Sequence, residues 1–476
     1  MSTTRKIAHN TIVQIGGKVI STFLGLIALS MLTRYLEPTK FGWYITTIAF
    51  LQFIAILIDF GLVPVTAQMM SEPRFDKEKL LKNLLGFRFV SATIFFAIAP
   101  LIALFFPYPT PVKIAIAFTS LSFFANAMNQ IFIGFYQQRL KMYIQAIGEV
   151  IGRIILVVGL FILINLNGSF LWVMGVITIS GVSYMVVMWL AAIKYTRPSF
   201  AFNKKIWQEI VKKMWPIAIS IIFNVVYLKG DILLLSIFRD QTEVGFYGAP
   251  YRVIDILAQT AMMLMGVIMP LLAFSWSRNQ ADEFKTRFQQ AFDAMMLLAV
   301  PMTVGTIVLA PKIMNLVAGD KYMASAKPLQ ILSLAVFGVF VGAIFGHTAV
   351  AINKQKQTIW VYASNAIITL IGYLIFIPLY GMYGAAWMTV FSELYAALFL
   401  YVTVRRYIKQ KIQLKTLAKI ILSSLCMAFA ICQLINLNVI LLTVIGMVVY
   451  GAVMFVIGGI SKKTLMEIIS MKSKNK

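Results

Sequence analysis

Reactive side chains are scarce in this sequence. Its 476 residues include only two cysteines, two histidines and 17 aspartates and glutamates. Both cysteines, Cys426 and Cys432, fall in one apolar segment, where we expect them to be small apolar filler. No cluster has the spacing of a zinc site, no glycine-rich loop precedes a Lys-Ser/Thr pair, and no Ser-His-Asp set is available. The sequence therefore predicts no metal site and no cofactor, and it argues against ATP hydrolysis by this chain.

Charged residues make up only 12% of the chain, whereas hydrophobic residues make up 60% and the mean hydropathy is +0.85. A soluble globular protein cannot cover this much apolar surface. Apolar windows of about 20 residues, the length that crosses a hydrocarbon core, recur along the whole chain with short connections. They predict an all-α polytopic membrane protein of about fourteen transmembrane helices, the first of them a retained span. The predicted spans are about 12–35, 42–63, 82–106, 112–133, 143–165, 169–193, 214–238, 245–272, 291–311, 328–351, 357–378, 383–404, 416–435 and 438–460.

Acidic charge is also short, because 42 lysines and arginines face 17 acids and give a formal net charge of +25. With the N-terminus placed inside, thirty of the basic residues fall in inner segments and seven in outer loops. This asymmetry is the positive-inside rule. It predicts that both termini are cytoplasmic, and the expected location is the cytoplasmic (inner) membrane. The partners it predicts are membrane lipids, not nucleic acid.

Two short motifs occur twice at similar offsets. Residues 39–44 (TKFGWY) resemble residues 242–247 (TEVGFY) at an offset of 203, and residues 138–141 (QRLK) resemble residues 353–356 (NKQK) at an offset of 215. Each copy adjoins an apolar segment. Internal repeats are common in transporters, which hold their substrate between the two halves. The chain is therefore interpreted as a duplicated helix bundle.

The repeat suggests four regions. They are an N-terminal six-helix lobe at 1–193, a basic amphipathic linker at 194–213, a C-terminal six-helix lobe at 214–410, and two additional helices with a basic tail at 411–476. Within the linker, apolar residues at helical spacing are surrounded by lysines, which predicts a helix lying in the inner headgroup layer. This linker is either a joint that lets the halves move or a passive tether.

Charges at membrane depth need a partner or a substrate, because each costs about 2.5–3.5 kcal/mol on insertion scales. Lys18, Asp59, Arg88 and Asp293 lie near the cytoplasmic ends of their spans, where the long side chains of Lys18 and Arg88 are expected to snorkel. The deeper charges are Glu149, Arg153, Lys229, Asp231, Arg252, Asp255 and Glu393.

Spacing predicts which of these side chains share a helix face. Glu149 and Arg153 are four residues apart, so they are candidates for a structural ion pair, and Arg252 and Asp255 are three apart. The bases Arg252, Lys229 and Arg153 are suited to an anionic headgroup.

Lys229 and Asp231 are only two residues apart and point to different sides, so each needs a partner elsewhere or a water-filled cavity. The acids Asp231, Asp255 and Glu393 are candidates for coupling transport to Na⁺ or H⁺.

Three stretches carry a family resemblance. LTRYLEPTKFGWY at 32–44, DFGL at 59–62 and DILLLSIFRDQTEVGFYGAPYRV at 231–253 resemble the polysaccharide and oligosaccharide (Wzx-like) flippases of the multidrug, oligosaccharidyl-lipid and polysaccharide (MOP) exporter superfamily. MATE exporters and lipid II flippases are relatives of these proteins. The resemblance covers nearly the whole chain, although each motif is short.

The resemblance implies two six-helix lobes arranged in a V around a central cavity, followed by two C-terminal helices. It implies a flippase that translocates a polyprenyl-pyrophosphate-linked oligosaccharide by alternating access, for cell-surface polysaccharide biosynthesis, with other polysaccharide-assembly membrane proteins as candidate partners. Basic residues of the cavity meet the pyrophosphate in such flippases. Arg252 is the best match, followed by Lys229, Arg153 and Arg88.

Two other functions remain open. One is an ion-coupled multidrug exporter of the same superfamily that moves organic cations, and unpaired acids in the cavity would favour it. The other is a membrane-embedded polysaccharide polymerase or ligase. Such an enzyme needs a sizeable outer loop, whereas the outer connections here are mostly under about ten residues, so the chain is not expected to be an enzyme.

Overall fold

The computed structural model describes residues 3–59, 61–408 and 412–459, with side chains described for all of these except 3–12, 15, 63, 64, 67 and 216–228. In these ranges the secondary structure is α-helical, apart from two 3₁₀ turns at Asp320–Ser325 and Gln355–Thr358. The helices are α1 (Thr3–Tyr35), α2 (Pro38–Asp59), α3 (Leu62–Ser71), α4 (Lys77–Leu104), α5 (Thr110–Gln138), α6 (Tyr143–Asn165), α7 (Phe170–Ile193), α8 (Lys204–Phe238), α9 (Gln241–Ser277), α10 (Ala281–Ala318), α11 (Ala326–Ala351), α12 (Ile359–Ile408), α13 (Lys415–Gln433) and α14 (Val439–Val456).

The span count follows from helix length. Twelve helical segments of the described ranges are long and apolar enough to cross a membrane. One of them contains α12, whose 50 residues would reach about 75 Å, more than twice a hydrocarbon core. α12 is broken at Gly381 (φ 58°, ψ −135°), so it supplies two spans. α8 contains the span predicted at 214–238, which would be the fourteenth.

The Gly381 break is fixed by a contact with α9. Glu243 accepts a hydrogen bond from the backbone N–H of Met382 at 2.7 Å, and its other oxygen lies 3.1 Å from Arg239 Nε. A Cβ at position 381 would overlap the Glu243 carboxylate. Glycine is therefore required here both for its positive φ and for the space.

The described residues form two compact units. One contains those up to Gly248 together with Val317–Lys321 and Tyr373–Met382, and the other contains the remainder. The first unit is held by a buried apolar cluster from α3, α4, α5, α6, α7 and α8 and by a second from α2, α4 and α5. The proposed division into repeated lobes, a linker and two added helices concerns duplication and stays a prediction.

The last two helices pack within the second unit. Leu309 of α10 is buried with Met427 and Ile431 of α13 and with Leu442 of α14. Tyr450 Oη also donates to the Leu297 carbonyl oxygen at 2.9 Å. α13 and α14 are therefore fixed against α10.

The linker is attached to α4 at defined points. The Ala201 N–H donates to the Lys82 carbonyl oxygen at 3.0 Å, and the Asn203 N–H donates to Asn83 Oδ1 at 2.8 Å. Gly86 makes room for the backbone of Ala201. Asn203 then caps α8 by accepting from the N–H of Ile206. The predicted amphipathic helix exists, but it forms the first turns of α8 and is continuous with the seventh span.

The residues of the second sequence repeat lie at two similar helix ends. Leu140 and Asn353 follow α5 and α11 with φ of 55° and 57°, a left-handed conformation. The lysine after each lies over an aromatic ring of a later helix or its end. The two contacts are Lys141 over Tyr195 at 3.9 Å and Lys354 over Tyr407 at 4.9 Å. The structurally equivalent positions are thus 213 residues apart, two fewer than the offset of 215 read from the sequence.

Candidate functional site

The two copies of the motif at 39–44 and 242–247 contact each other, and both are helical rather than the turns between spans that the predicted boundaries at 42 and 245 imply. They form the first turns of α2 and α9, which begin one residue earlier, at Pro38 and Gln241. Thr39 Oγ1 lies 2.8 Å from Thr242 Oγ1, and these threonines are the first residues of the two motifs. Further along, Thr46 Oγ1 donates to Gln241 Oε1 at 2.6 Å. The positions that the offset of 203 equates are therefore neighbours in space.

Asp231 is enclosed in the first unit. Its side chain is fully buried on α8, and Tyr247 Oη donates to its Oδ2 at 2.7 Å. Tyr247 is also fully buried and is the last residue of the second motif copy, so the first turns of α9 position this hydroxyl. Lys229, two residues before Asp231 on α8, is only half-buried. A buried carboxylate is stabilised by hydrogen bonds or by a cation, which keeps Asp231 a candidate for cation or proton binding.

Glu149 and Arg153 both face α1, as their spacing predicts, but Glu149 pairs with Lys18. Lys18 Nζ lies 3.3 Å from Glu149 Oε1, and Ser21 Oγ donates to the same oxygen at 2.7 Å. Arg153 lies one turn further along, where its guanidinium carbon would be 3.9 Å from a Cβ on Gly25. The predicted ion pair between Glu149 and Arg153 is wrong because α1 presents a lysine directly to Glu149.

Arg153 is exposed, and in the part of the chain that the structure describes no carboxylate lies within ion-pair distance of it. The loss of Glu149 as a partner therefore leaves this guanidinium available for an anion.

Arg88 does not snorkel. Its side chain is 1% exposed, its Nη2 donates to Asp59 Oδ1 at 2.6 Å, and its Nη1 donates to the Ile58 carbonyl oxygen at 3.1 Å. The prediction from depth is wrong because position 88 faces α2 instead of the lipid. A guanidinium enclosed in this way stabilises the contact between α2 and α4, and we leave Arg88 out of the proposed anion site.

The charges of the second unit are less enclosed. Arg252 Nη1 lies 3.8 Å from Asp255 Oδ2, and both side chains are partly exposed. This long separation indicates a weak pair from which Arg252 can turn to another anion. Glu393 is half-buried on α12, and its backbone lies so close to Gly338 of α11 that a Cβ there would approach to 2.9 Å.

Sequence reasoning missed the uncharged groups around these charges. Ser21 and Tyr247 both bond to predicted site acids through hydroxyls, and hydroxyl residues in an apolar span give no signal of depth or cost. Tyr247 could have been found from its equivalence to Tyr44 at the offset of 203, because each is the last residue of its motif copy.

Curated relatives match parts of the chain. A probable low-salt glycan biosynthesis flippase of Haloferax volcanii is 26% identical over 37% of this chain and 37% of its own length. A putative O-antigen transporter of Shigella dysenteriae is 22% identical over 40% of this chain and 47% of its own length. The chain thus matches less than half the length of these relatives.

Solved structures match almost the whole fold. The lipid II flippase MurJ in an inward closed conformation has a TM-score of 0.79 at 18% identity, covering 94% of this chain and 98% of MurJ. An inward-facing multidrug resistance MATE family transporter of the MOP superfamily has a TM-score of 0.66 at 11% identity, covering 84% of this chain and 98% of that transporter. At these identities the likeness establishes the fold, which is that of a multi-pass membrane protein.

The family follows from a broader match. A family model described as polysaccharide biosynthesis protein matches residues 31–328, which is more than half of the chain. The matched region contains both motif copies, at 39–44 and 242–247, and the charged positions from Glu149 to Asp255. The chain therefore belongs to the polysaccharide biosynthesis protein family.

Proposed function

We propose that the protein is a flippase that translocates a polyprenyl-pyrophosphate-linked oligosaccharide across the cytoplasmic membrane by alternating access, for cell-surface polysaccharide biosynthesis. The family match over residues 31–328 carries this proposal. The fold shared with MurJ supports it. Carrying a hydrated oligosaccharide through hydrocarbon is prohibitive, and a polar path through the protein replaces the lost water.

The pyrophosphate requires positive charge at membrane depth. Arg153 has no acidic partner among the described residues, and Arg252 is held only by a long contact to Asp255. Guanidinium groups bind phosphate oxygens through paired, charge-assisted hydrogen bonds. We assign Arg252, Lys229 and Arg153 to the substrate pyrophosphate, each at some stage of the transport cycle.

The acids are assigned to energy coupling. Asp231, buried against Tyr247, combines a carboxylate with an enclosed site, which favours binding of Na⁺ or H⁺. Asp255 and Glu393 are further candidates. Movement of an ion down its gradient through these sites would drive the cycle, and the protein itself would make and break no covalent bond.

The positive-inside distribution supports a location in the cytoplasmic membrane with both termini cytoplasmic. The expected partners are the lipid-linked oligosaccharide, membrane lipids and other membrane proteins of polysaccharide assembly. Labelling of single cysteines placed in opposite loops, in a background without Cys426 and Cys432, tests the orientation.

The function is tested by translocation of a fluorescent undecaprenyl-pyrophosphoryl oligosaccharide in proteoliposomes. Arg252→Gln should lower the rate about 10- to 150-fold, because a charge-assisted hydrogen bond contributes about 1.5–3 kcal/mol. Arg278→Gln is the matched control, since Arg278 immediately follows the same helix and stacks on Phe274. Wild-type rates in Arg252→Gln would remove this arginine from the site, and no translocation by the wild type would refute the flippase.

A multidrug exporter is the second candidate, favoured by the MATE-like fold and by the buried carboxylate of Asp231. An efflux assay with a cationic dye in the same proteoliposomes tests it. Ion-dependent dye efflux that is lost in Asp231→Asn, with no lipid translocation, would select the exporter.

A further inference from the structure

An open groove of about 830 Å³ lies where α8 begins, within the range of ligand pockets, about 300–1,000 Å³. We call it the linker groove; it is lined by Phe87, Phe202, Lys204, Trp207, Gln208, Val211, Lys212 and Trp215. Its lining comes from α4, from the connection that precedes α8 and from the first turns of α8.

One stripe of α8 builds the long wall of the groove. At 3.6 residues per turn, Lys204, Trp207, Val211 and Trp215 fall on one side of the helix. Trp207 is held in place, because its Nε1 donates to the Asn83 carbonyl oxygen at 3.2 Å. Its ring also packs edge-on against Phe87 and Phe202, with centroids 5.4 and 5.8 Å away. The aromatic wall is therefore rigid.

The mouth of the groove is apolar yet exposed. Trp215 is 67% exposed and Phe202 is 63% exposed. Tryptophan is enriched where a protein meets the interface between lipid and water. These side chains form an apolar surface that suits a hydrocarbon chain.

The charge around the groove is unbalanced. The nearby acid Glu72 is engaged by Lys213 and Arg74, and Glu209 by Arg74. Lys204 and Lys212 line the groove and have no ion-pair partner among the residues that the structure describes. They lie eight residues apart, about 12 Å along the helix, and present two positive charges beside an apolar wall.

We propose that the linker groove binds one anionic phospholipid, with its phosphate between Lys204 and Lys212 and an acyl chain along Phe87, Trp207 and Trp215. The combination of two uncompensated lysines with exposed aromatic rings matches an amphiphile that has both a negative headgroup and a hydrocarbon chain. A soluble anion would leave the aromatic wall bare, and a zwitterionic lipid would leave the lysines unbalanced. The site does not depend on what the protein transports.

The test is lipid retention by the purified full-length protein in native mass spectrometry, with phosphatidylglycerol and phosphatidylcholine of identical acyl chains. The wild type should hold one phosphatidylglycerol in preference to phosphatidylcholine. Lys204→Gln with Lys212→Gln should weaken phosphatidylglycerol about 30-fold, at about fivefold for each lysine. The matched control, Lys77→Gln with Lys205→Gln, removes the same charge from exposed lysines outside the groove and should not change retention.

A second variant separates shape from charge. Val211→Trp fills the groove and keeps both lysines, and it should also abolish the selective binding. Equal retention of the two lipids by the wild type would overturn the proposal, as would unchanged binding in the double glutamine variant or an equal loss in the control. Displacement of phosphatidylglycerol by a polyprenyl phosphate at lower concentration would also overturn it, and would make the groove a substrate site.

Discussion

Gly42 and Gly245 face each other although they are 203 residues apart in the chain. A Cβ on Gly42 would lie 3.2 Å from the Gly245 nitrogen, and a Cβ on Gly245 would lie 3.1 Å from the Gly42 nitrogen. Each of these Cβ atoms would also overlap a backbone carbonyl oxygen, of Gln241 and Pro38 respectively. The two helix starts can approach this closely only because both positions are glycine.

Gly245→Ala should therefore destabilise the protein by about 1–3 kcal/mol, because the backbone of Pro38 has to move to admit a methyl group. Thermal unfolding in detergent measures this loss of stability. Gly266→Ala on the same helix is the control, since no side chain and no backbone beyond its own helical turns lies within 4 Å of the added Cβ. Equal melting temperatures for the two variants would contradict the close contact.

Replacing Asp59 should lower the stability of the protein more than replacing its partner Arg88. Asp59→Leu leaves a guanidinium buried without its carboxylate, which costs about 3–5 kcal/mol. Arg88→Met should cost less, because the Asp59 side chain is 34% exposed and water can solvate it.

Denaturation curves of the two variants check this order. The control is Lys82→Met, which breaks the more exposed pair with Glu78 on the same helix and should change stability by under about 0.5 kcal/mol. The opposite order would mean that Arg88 reaches solvent.

Glu149 should couple energetically to Lys18 and not to Arg153. Lys18 and Glu149 are 44% and 24% exposed, so their coupling should be about 0.2–1 kcal/mol. Double-mutant cycles with Lys18→Met, Arg153→Gln and Glu149→Gln measure both couplings. A larger coupling with Arg153 would restore the ion pair that the sequence predicts.

The attachment of the linker should weaken in acid. The Glu72 carboxylate accepts hydrogen bonds from Lys213 Nζ and from Arg74 Nε, the second at 2.8 Å. These bonds, the one from Lys213 first, lower the pKa of Glu72 below its ordinary value. The folded state thus favours the ionised form. This contribution is present above the ordinary pKa of glutamate, about 4.3, and is lost as the pH falls through the lowered value.

Spin labels at positions 77 and 205, in a background without Cys426 and Cys432, report this attachment as a distance distribution. The distribution should broaden below about pH 4. In Glu72→Gln it should be broad at every pH, whereas Glu78→Gln should behave like the wild type. A distribution in the wild type that does not change with pH would show that Glu72 does not hold the linker.

The helices were predictable because a membrane-spanning helix is recognised from the length and hydropathy of one continuous stretch of sequence. The spans on either side of Gly381 were separated correctly from the sequence. The two motif copies at 39–44 and 242–247 were found by their similarity. The second repeat, at 138–141 and 353–356, is too short and too varied to specify a register from its sequence. Leu140 and Asn353, which share a left-handed backbone conformation, lie 213 residues apart and would align the two stretches at that offset.

The partners of the charges were not predictable from one helix at a time. Spacing places Glu149 and Arg153 on one face, but the side chain that meets Glu149 belongs to α1. Depth places Arg88 near a helix end, yet depth carries no information on whether that face meets lipid or α2. Partner choice depends on how neighbouring helices are rotated, and the apolar residues shared by all faces of these spans leave that rotation open.

The contact between Gly42 and Gly245 also bears on the origin of the chain. Each copy offers the same residues to the other, which is the pattern of a homodimer interface. Six of the predicted spans separate the two glycines, and an even number places both copies in the membrane in the same direction. The predicted duplication would account for this pattern, because two copies of a half-length protein that paired with itself would present the same residues to each other. Because the two glycines contact each other, a larger residue at either position requires the backbone of the other motif copy to move.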